Sequence, residues 1–300
     1  PLMTYAQTLS AAAAIDRYEQ IRHRLPSATF PQTTQACAGL LEIADQFDAF
    51  LLDSFGVLNV GETAIDGAVA CLSSLRAAGK KLIVLTNAAS YTLATAVERY
   101  RRLGFDFEAD EVISSRDVAA RRLGAFLPDG RWGALASPDD RFEDFDVAID
   151  HWRGQDVDGF VFLSSVSLTD QHVQALREAL DDRPRPLIVA NPDLVAPREN
   201  GLSQEPGYYA HQIADAVGNS PVLFGKPFDD AFNDAMDRLG TIEPRRIAMV
   251  GDTLHTDILG GRAAGTRTVL VRDHGLFAGL DTERFISRSG IVPDFSCPSI

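Results

Sequence analysis

The chain of 300 residues is 45% hydrophobic, 8% aromatic and 23% charged, a composition of globular proteins with one large core or two moderate ones, outside disordered, collagen-like and coiled-coil chains. Lys and Arg number 28 against 42 Asp and Glu, a formal charge of -14, so the long-range field repels nucleic acid and anionic lipid. A phosphate-bearing ligand must then be held locally, by a cation, a lysine or backbone N–H groups. The three cysteines, Cys37, Cys71 and Cys297, lack CxxC spacing, and no apolar run approaches about 18 residues; a cytoplasmic protein with no membrane segment is expected.

Taken in chain order, Tyr5, Leu9, Ala12, Ala13 and Ile15 fall at helical spacing and predict a helix over 4–25, stopped by Pro26. A short helix is expected over 34–45. The apolar run Ala49-Phe50-Leu51-Leu52 then breaks off at Asp53 and the turn Ser54-Phe55-Gly56, as a strand buried on both faces would. The same grammar recurs at 81–85, 159–163, 187–190, 222–224, 247–250 and 268–271, with helical patterns at 66–78, 91–103, 117–123, 171–180, 229–239 and 256–264. This alternation predicts an α/β fold: a doubly wound parallel sheet with ligands at the carboxyl ends of its strands. Turn residues at Pro128-Asp129-Gly130 and Gly218 to Pro221 set off residues 125–221 as an inserted smaller α/β domain. Residues 1–40 then form a helical extension, and 41–124 with 222–300 form the core, its sheet resuming at Val222.

Polar residues close several of these strands: Asp53, Thr86 with Asn87, Lys226, and Asp252 with Asp257. Each alone has an ordinary reading as a turn residue, a helix cap, a solvated lysine or an acid near a helix start. Together, at the ends of separate parallel strands, they converge on one crevice. Carboxylates with oxygen-only surroundings suit Mg²⁺, which would let Asp53 attack a phosphoryl centre as a nucleophile. Lys226 would steady Asp53 and the phosphate, while the Thr86 hydroxyl and the Asn87 backbone N–H bind its oxygens.

Asp-x-x-Gly-Val (Asp53 to Val57), Thr86-Asn87, Gly225-Lys226-Pro227 and Gly-Asp-Thr-x-x-Thr-Asp (Gly251 to Asp257) resemble the four motifs of the haloacid dehalogenase superfamily. The insert resembles the class IIA cap of 4-nitrophenylphosphatase-like and sugar-phosphate phosphatases, and Asn191-Pro192-Asp193 a recurring motif within it. The resemblance implies a Rossmann-like core and an aspartyl-phosphate on Asp53. It further implies phosphate binding by Thr86, Asn87 and Lys226. Mg²⁺ would be held by Asp53, the Phe55 backbone carbonyl and Asp252, with Asp257 acting through water. Asn191, Asp193, Arg198 and His211 are candidates for substrate selection, the expected partner is a small phosphorylated metabolite, and pairing into a homodimer is expected.

One departure stands out. Phosphatases of this superfamily keep a second aspartate two residues after the nucleophile as general acid and base; here that position is Phe55. Such proton transfer contributes about 10²–10⁴-fold, so a slow phosphatase is expected, and Phe55→Asp should raise its turnover. Two alternatives remain: a non-hydrolytic phosphate- and metal-binding protein, and a dehalogenase-like hydrolase, which Asp252 with Asp257 argues against. His255 and His274 are candidate replacement acids. Asp139, Asp140, Glu143, Asp144 and Asp146 read as a solvated acidic face.

Overall fold

The computed structural model describes residues 9–198 and 201–300. Seven parallel strands form the larger sheet, in the order Gln35–Ala36, Phe295–Cys297, Arg267–Val271, Ile247–Gly251, Ala49–Leu52, Lys81–Thr86 and Val112–Ser114. Its centre is apolar on both sides because helices cover both. Phe50, Leu52, Val84 and Val250 pack with Leu72 and Tyr100 on one face, and Leu51, Ile83, Leu85 and Met249 with Val118 and Phe232 on the other. That two-sided burial is why these strands read as unbroken apolar runs, and each large side chain so buried contributes about 1.5–3 kcal/mol. Val250 pairs with Leu52 and Leu52 with Val84, so the central strand stops first and Asp53 follows it between the last residues of its two neighbours, Ile247–Gly251 and Lys81–Thr86. From Ala49–Leu52 the sheet order departs in both directions, which opens a crevice beyond Asp53.

A second, five-stranded parallel sheet runs Val222–Leu223, Leu187–Val189, Gly159–Phe162, Arg131–Leu135 and Ala148–His151. Helices Asp170–Asp182 and Pro206–Val217 cover one face through Leu176, Leu180, Ala210 and Ile213. The other face, with Trp132, Val161 and Ile188, joins the core cluster of the larger sheet through Val118 and Leu123 of helix Ser115–Phe126. An antiparallel hairpin, Val195–Arg198 with Gly201–Gln204, projects from this lobe.

Three expectations are corrected. Val222–Leu223 does not resume the larger sheet but forms the edge of the smaller one, against Ile188 and Val189. Segment 34–45 is not one helix: Gln35–Ala36 is an edge strand on Phe295–Ser296, and helical turns begin only at Leu40. The N-terminal helix spans Ala11–Gln20, capped by the Ser10 hydroxyl, with a separate turn at Arg22–Arg24; positions 4–8 of the expected helix lie outside the described residues. The acidic face is also revised. Asp140 and Asp144 grip the buried Arg116 guanidinium at 2.6–2.9 Å, and the Ala89 carbonyl takes a further N–H at 3.2 Å. No helix among the described residues is long and apolar enough to cross a membrane.

Candidate active site

Asp53 follows the central strand, its N–H donating to the Val250 carbonyl across the pairing. The Lys226 ammonium reaches it from the loop after Val222–Leu223, with Nζ 2.7 Å from Asp53 Oδ1 and 2.8 Å from Asp257 Oδ1. Lys226 is 2% exposed. Burial opposes its charge, but Asp257, Asp53 and Asp193 outweigh burial and hold the amine protonated. The Asp252 carboxylate is fixed by the Thr253 hydroxyl (2.8 Å) and the Leu276 N–H (2.7 Å), and Asp257 Oδ2 accepts from the Thr253 N–H at 3.0 Å. Glycine is required beneath this cluster: a Cβ at Gly251 would stand 2.1 Å from Asp257 Cγ.

One carboxylate oxygen from each of Asp53, Asp252 and Asp257 lies within 4.8 Å of the others. Burial, then Asp53 and Asp257, push the Asp252 carboxyl well above its ordinary range, and burial likewise lifts Asp257 despite Lys226. Three acids against one ammonium in a buried pocket is a donor set that a hard cation would complete, so the residues present fit a metal.

Thr86 and Asn87 sit at the end of the neighbouring strand. The Thr86 hydroxyl accepts from the Ala88 N–H at 3.2 Å and keeps its own proton to donate. The Asn87 side chain is committed to structure: Oδ1 accepts from the Lys226 N–H (2.8 Å), and Nδ2 donates to the Lys226 carbonyl (2.9 Å) and to Asp193 Oδ1 (2.7 Å). Gly225 allows this approach, having φ of 105° and a position where a Cβ would meet Asn87 Oδ1 at 2.5 Å. Asp193 is thus brought to the site, whereas Asn191 only positions it. Asn191 Oδ1 accepts from the Asp193 N–H and Nδ2 donates to Glu205, so both ends of the buried amide are engaged within the cap.

Two guanidinium groups stand over the Phe55 ring, Arg99 at 4.8 Å from its centroid and Arg198 of the hairpin at 5.7 Å. Arg99, on helix Leu93–Arg102, was not singled out from the sequence; its signal is an arginine among Ala96, Val97 and Tyr100 on the buried helix face. It also bonds Tyr91, Glu62 and the Gly61 carbonyl. Glu205 was missed as well, since a lone glutamate carries no spacing signal, and Thr253 was seen only as part of the Gly251 to Asp257 motif, without its bonds to Asp252 and Asp257.

The histidines do not gather here. His211, expected to help select the substrate, is 1% exposed on the cap helix, with its Nδ1 3.4 Å from the Arg24 guanidinium. His255 stacks on Tyr18 and faces Glu19 at 2.5 Å, and His274 meets Ser299, so neither is presented as a replacement acid.

The described haloacid dehalogenase-like hydrolase model matches residues 50–145, and a second, HAD-hydrolase-like model matches residues 223–296. A glycerol-3-phosphate phosphatase of Gallus gallus is 32% identical over 286 residues, covering 84% of this chain and 89% of its own. The chain belongs to the haloacid dehalogenase-like hydrolases. Among solved family members, a possible sugar phosphatase from Cytophaga hutchinsonii superposes with a TM-score of 0.79 at 29% identity, over 89% of this chain and 98% of its own. A glycerol phosphate phosphatase of Mycobacterium tuberculosis in complex with magnesium gives 0.65 at 26%, over 77% and 69%.

Proposed function

We propose that the chain is a magnesium-dependent phosphatase that hydrolyses small phosphate monoesters through Asp53. The observation that carries this is the junction of Asp53, Lys226, Asp252 and Asp257 at the ends of separate parallel strands. Magnesium held by Asp53, Asp252 and the Phe55 backbone carbonyl, with Asp257 behind, would neutralise acids and phosphate so that the two can approach.

The chain's own groups do the rest. Lys226 binds Asp53 Oδ1 and leaves Oδ2 to attack phosphorus. The Thr86 hydroxyl and the Asn87 backbone N–H receive the phosphoryl oxygens, and Lys226 steadies the charge that develops there. Arg198, half over Phe55 at the hairpin, contacts the part of the substrate beyond the phosphate. The lobe built on the five-stranded sheet, which ends with Val222–Leu223, serves as the cap domain that covers the crevice. The glycerol phosphate and sugar phosphatases among the relatives support a small phosphorylated polyol or sugar as the substrate class.

Phosphate release from 4-nitrophenyl phosphate, with Mg²⁺ and with EDTA, tests the reading. Wild-type release that needs Mg²⁺, and its disappearance in Asp53→Asn, are the expected results. Equal release by both proteins would remove Asp53 as the nucleophile. Thermal stabilisation by phosphate esters without release would turn the assignment to a binding protein.

A further inference from the structure

Phe55 leaves the phosphatase reading without a proton source, because a phenyl ring can neither protonate a departing alkoxide nor deprotonate water. The cap supplies a carboxyl group at the same crevice. Asp193 Oδ1 accepts from Asn87 Nδ2 at 2.7 Å, and that same nitrogen donates to the Lys226 carbonyl. Lys226 in turn holds Asp53. No hydrogen bond occupies Asp193 Oδ2 among the described residues.

The loop around Asp193 is clamped on both sides. Its own N–H is held by Asn191 Oδ1 at 3.1 Å, and the next N–H, of Leu194, donates to the Tyr18 hydroxyl at 3.1 Å. Five residues further on, at the end of strand Val195–Arg198, Arg198 stands over the Phe55 ring, so the cap segment that begins at Asp193 reaches the residue standing in the acid's place. We propose that Asp193 is the general acid and base of this chain, taking over the proton transfers that position 55 cannot perform. The proposal rests on the phosphatase reading and extends it.

The environment suits the role. Burial pushes the Asp193 carboxyl up to about 8, with Asp53 and Asp257 adding to it and Lys226 and the Asn87 amide opposing it; the Tyr18 phenol also faces it. In the first step an Asp53 oxygen bonds to phosphorus, the ester P–O bond breaks, and its electron pair leaves on the alkoxide oxygen, which takes the Asp193 proton. In the second, a water oxygen bonds to phosphorus, the bond from phosphorus to the Asp53 oxygen breaks, and the Asp193 carboxylate accepts the water proton. Ester and water become alcohol and phosphate, and both acids return to their starting states.

Asp193→Asn tests this, because the amide oxygen can still accept from Asn87 while the side chain has no proton to give at this acidity. The readout is kcat/KM in Mg²⁺ for two esters, glycerol 3-phosphate and 4-nitrophenyl phosphate, since the phenolate departs readily without protonation and the alkoxide does not. The expected result is a loss of about 10²–10⁴-fold for glycerol 3-phosphate and less than about tenfold for 4-nitrophenyl phosphate, at unchanged thermal stability. Equal losses for both esters, or no loss for either, overturn the assignment of Asp193 alone. Wild-type protein that releases phosphate from neither ester overturns the phosphatase reading as well.

Discussion

Arg116 offers the sharpest test of how the two lobes are held. Its side chain is 1% exposed and donates to Asp140 at 2.6 and 2.9 Å, to Asp144 twice at 2.7 Å and to the Ala89 carbonyl at 3.2 Å, with the Phe145 ring centroid at 5.2 Å. Arg116→Met keeps much of the volume and removes the charge, leaving the buried Asp140 carboxylate and the partly exposed Asp144 facing an apolar side chain. Breaking a buried pair in this way costs about 3–5 kcal/mol, which at this chain length lowers Tm by about 6–10 °C. Differential scanning calorimetry measures that shift. Adding Asp140→Asn and Asp144→Asn to Arg116→Met should recover part of it, because the stranded charges are gone. A drop under about 2 °C for the single variant, or a further drop for the triple one, would refute the argument that the cluster bears on stability.

Three further outcomes are expected. Mg²⁺ added to EDTA-treated protein should stabilise it by about 2.7 kcal/mol at a hundredfold excess over Kd, and Asp252→Asn should lose most of that gain; equal gains in a thermal-shift assay would exclude Asp252 as a ligand. His211 is pushed down to about 4 by burial, then by Arg24 and Arg17, with Asp215 opposing. Its folded value therefore lies below its unfolded one, so about 3 kcal/mol of stability is present above pH 6.5 and is lost as pH falls toward 4. His211→Gln should flatten urea midpoints over that window, and parallel curves for the two proteins would contradict the burial argument. The gain first expected from Phe55→Asp should stay under about threefold in turnover, because Arg99 and Arg198 would keep the new carboxylate ionised and unable to donate; a tenfold gain would show that they do not.

The candidate-site cluster was legible because buried parallel strands are apolar throughout, so Asp53, Thr86, Lys226 and Asp252 follow the apolar runs by contrast. Helices with strong one-sided patterns, such as Asp229–Leu239, were legible for the related reason that burial alternates along them. Membership of a sheet was not. Val222–Leu223 and Ala49–Leu52 obey the same grammar, and only hydrogen bonding to Leu187–Val189 assigns the former to the cap. Ion pairs between remote positions were equally hidden: nothing near Arg116 in sequence announces Asp140 and Asp144. Nor could a one-residue reading of Asn87 show that its amide stitches Lys226 to Asp193.

The N-terminal segment grips both lobes. Tyr18 stacks on His255 beside the acidic cluster and bonds the Leu194 N–H in the cap, while Arg17 and Arg24 clasp Asp215 on the cap helix. It acts as a strap laid across a hinge: swinging one lobe from the other must either carry the strap along or undo these fastenings. A stretch of chain outside the acidic cluster thereby ties together the two lobes that flank the crevice.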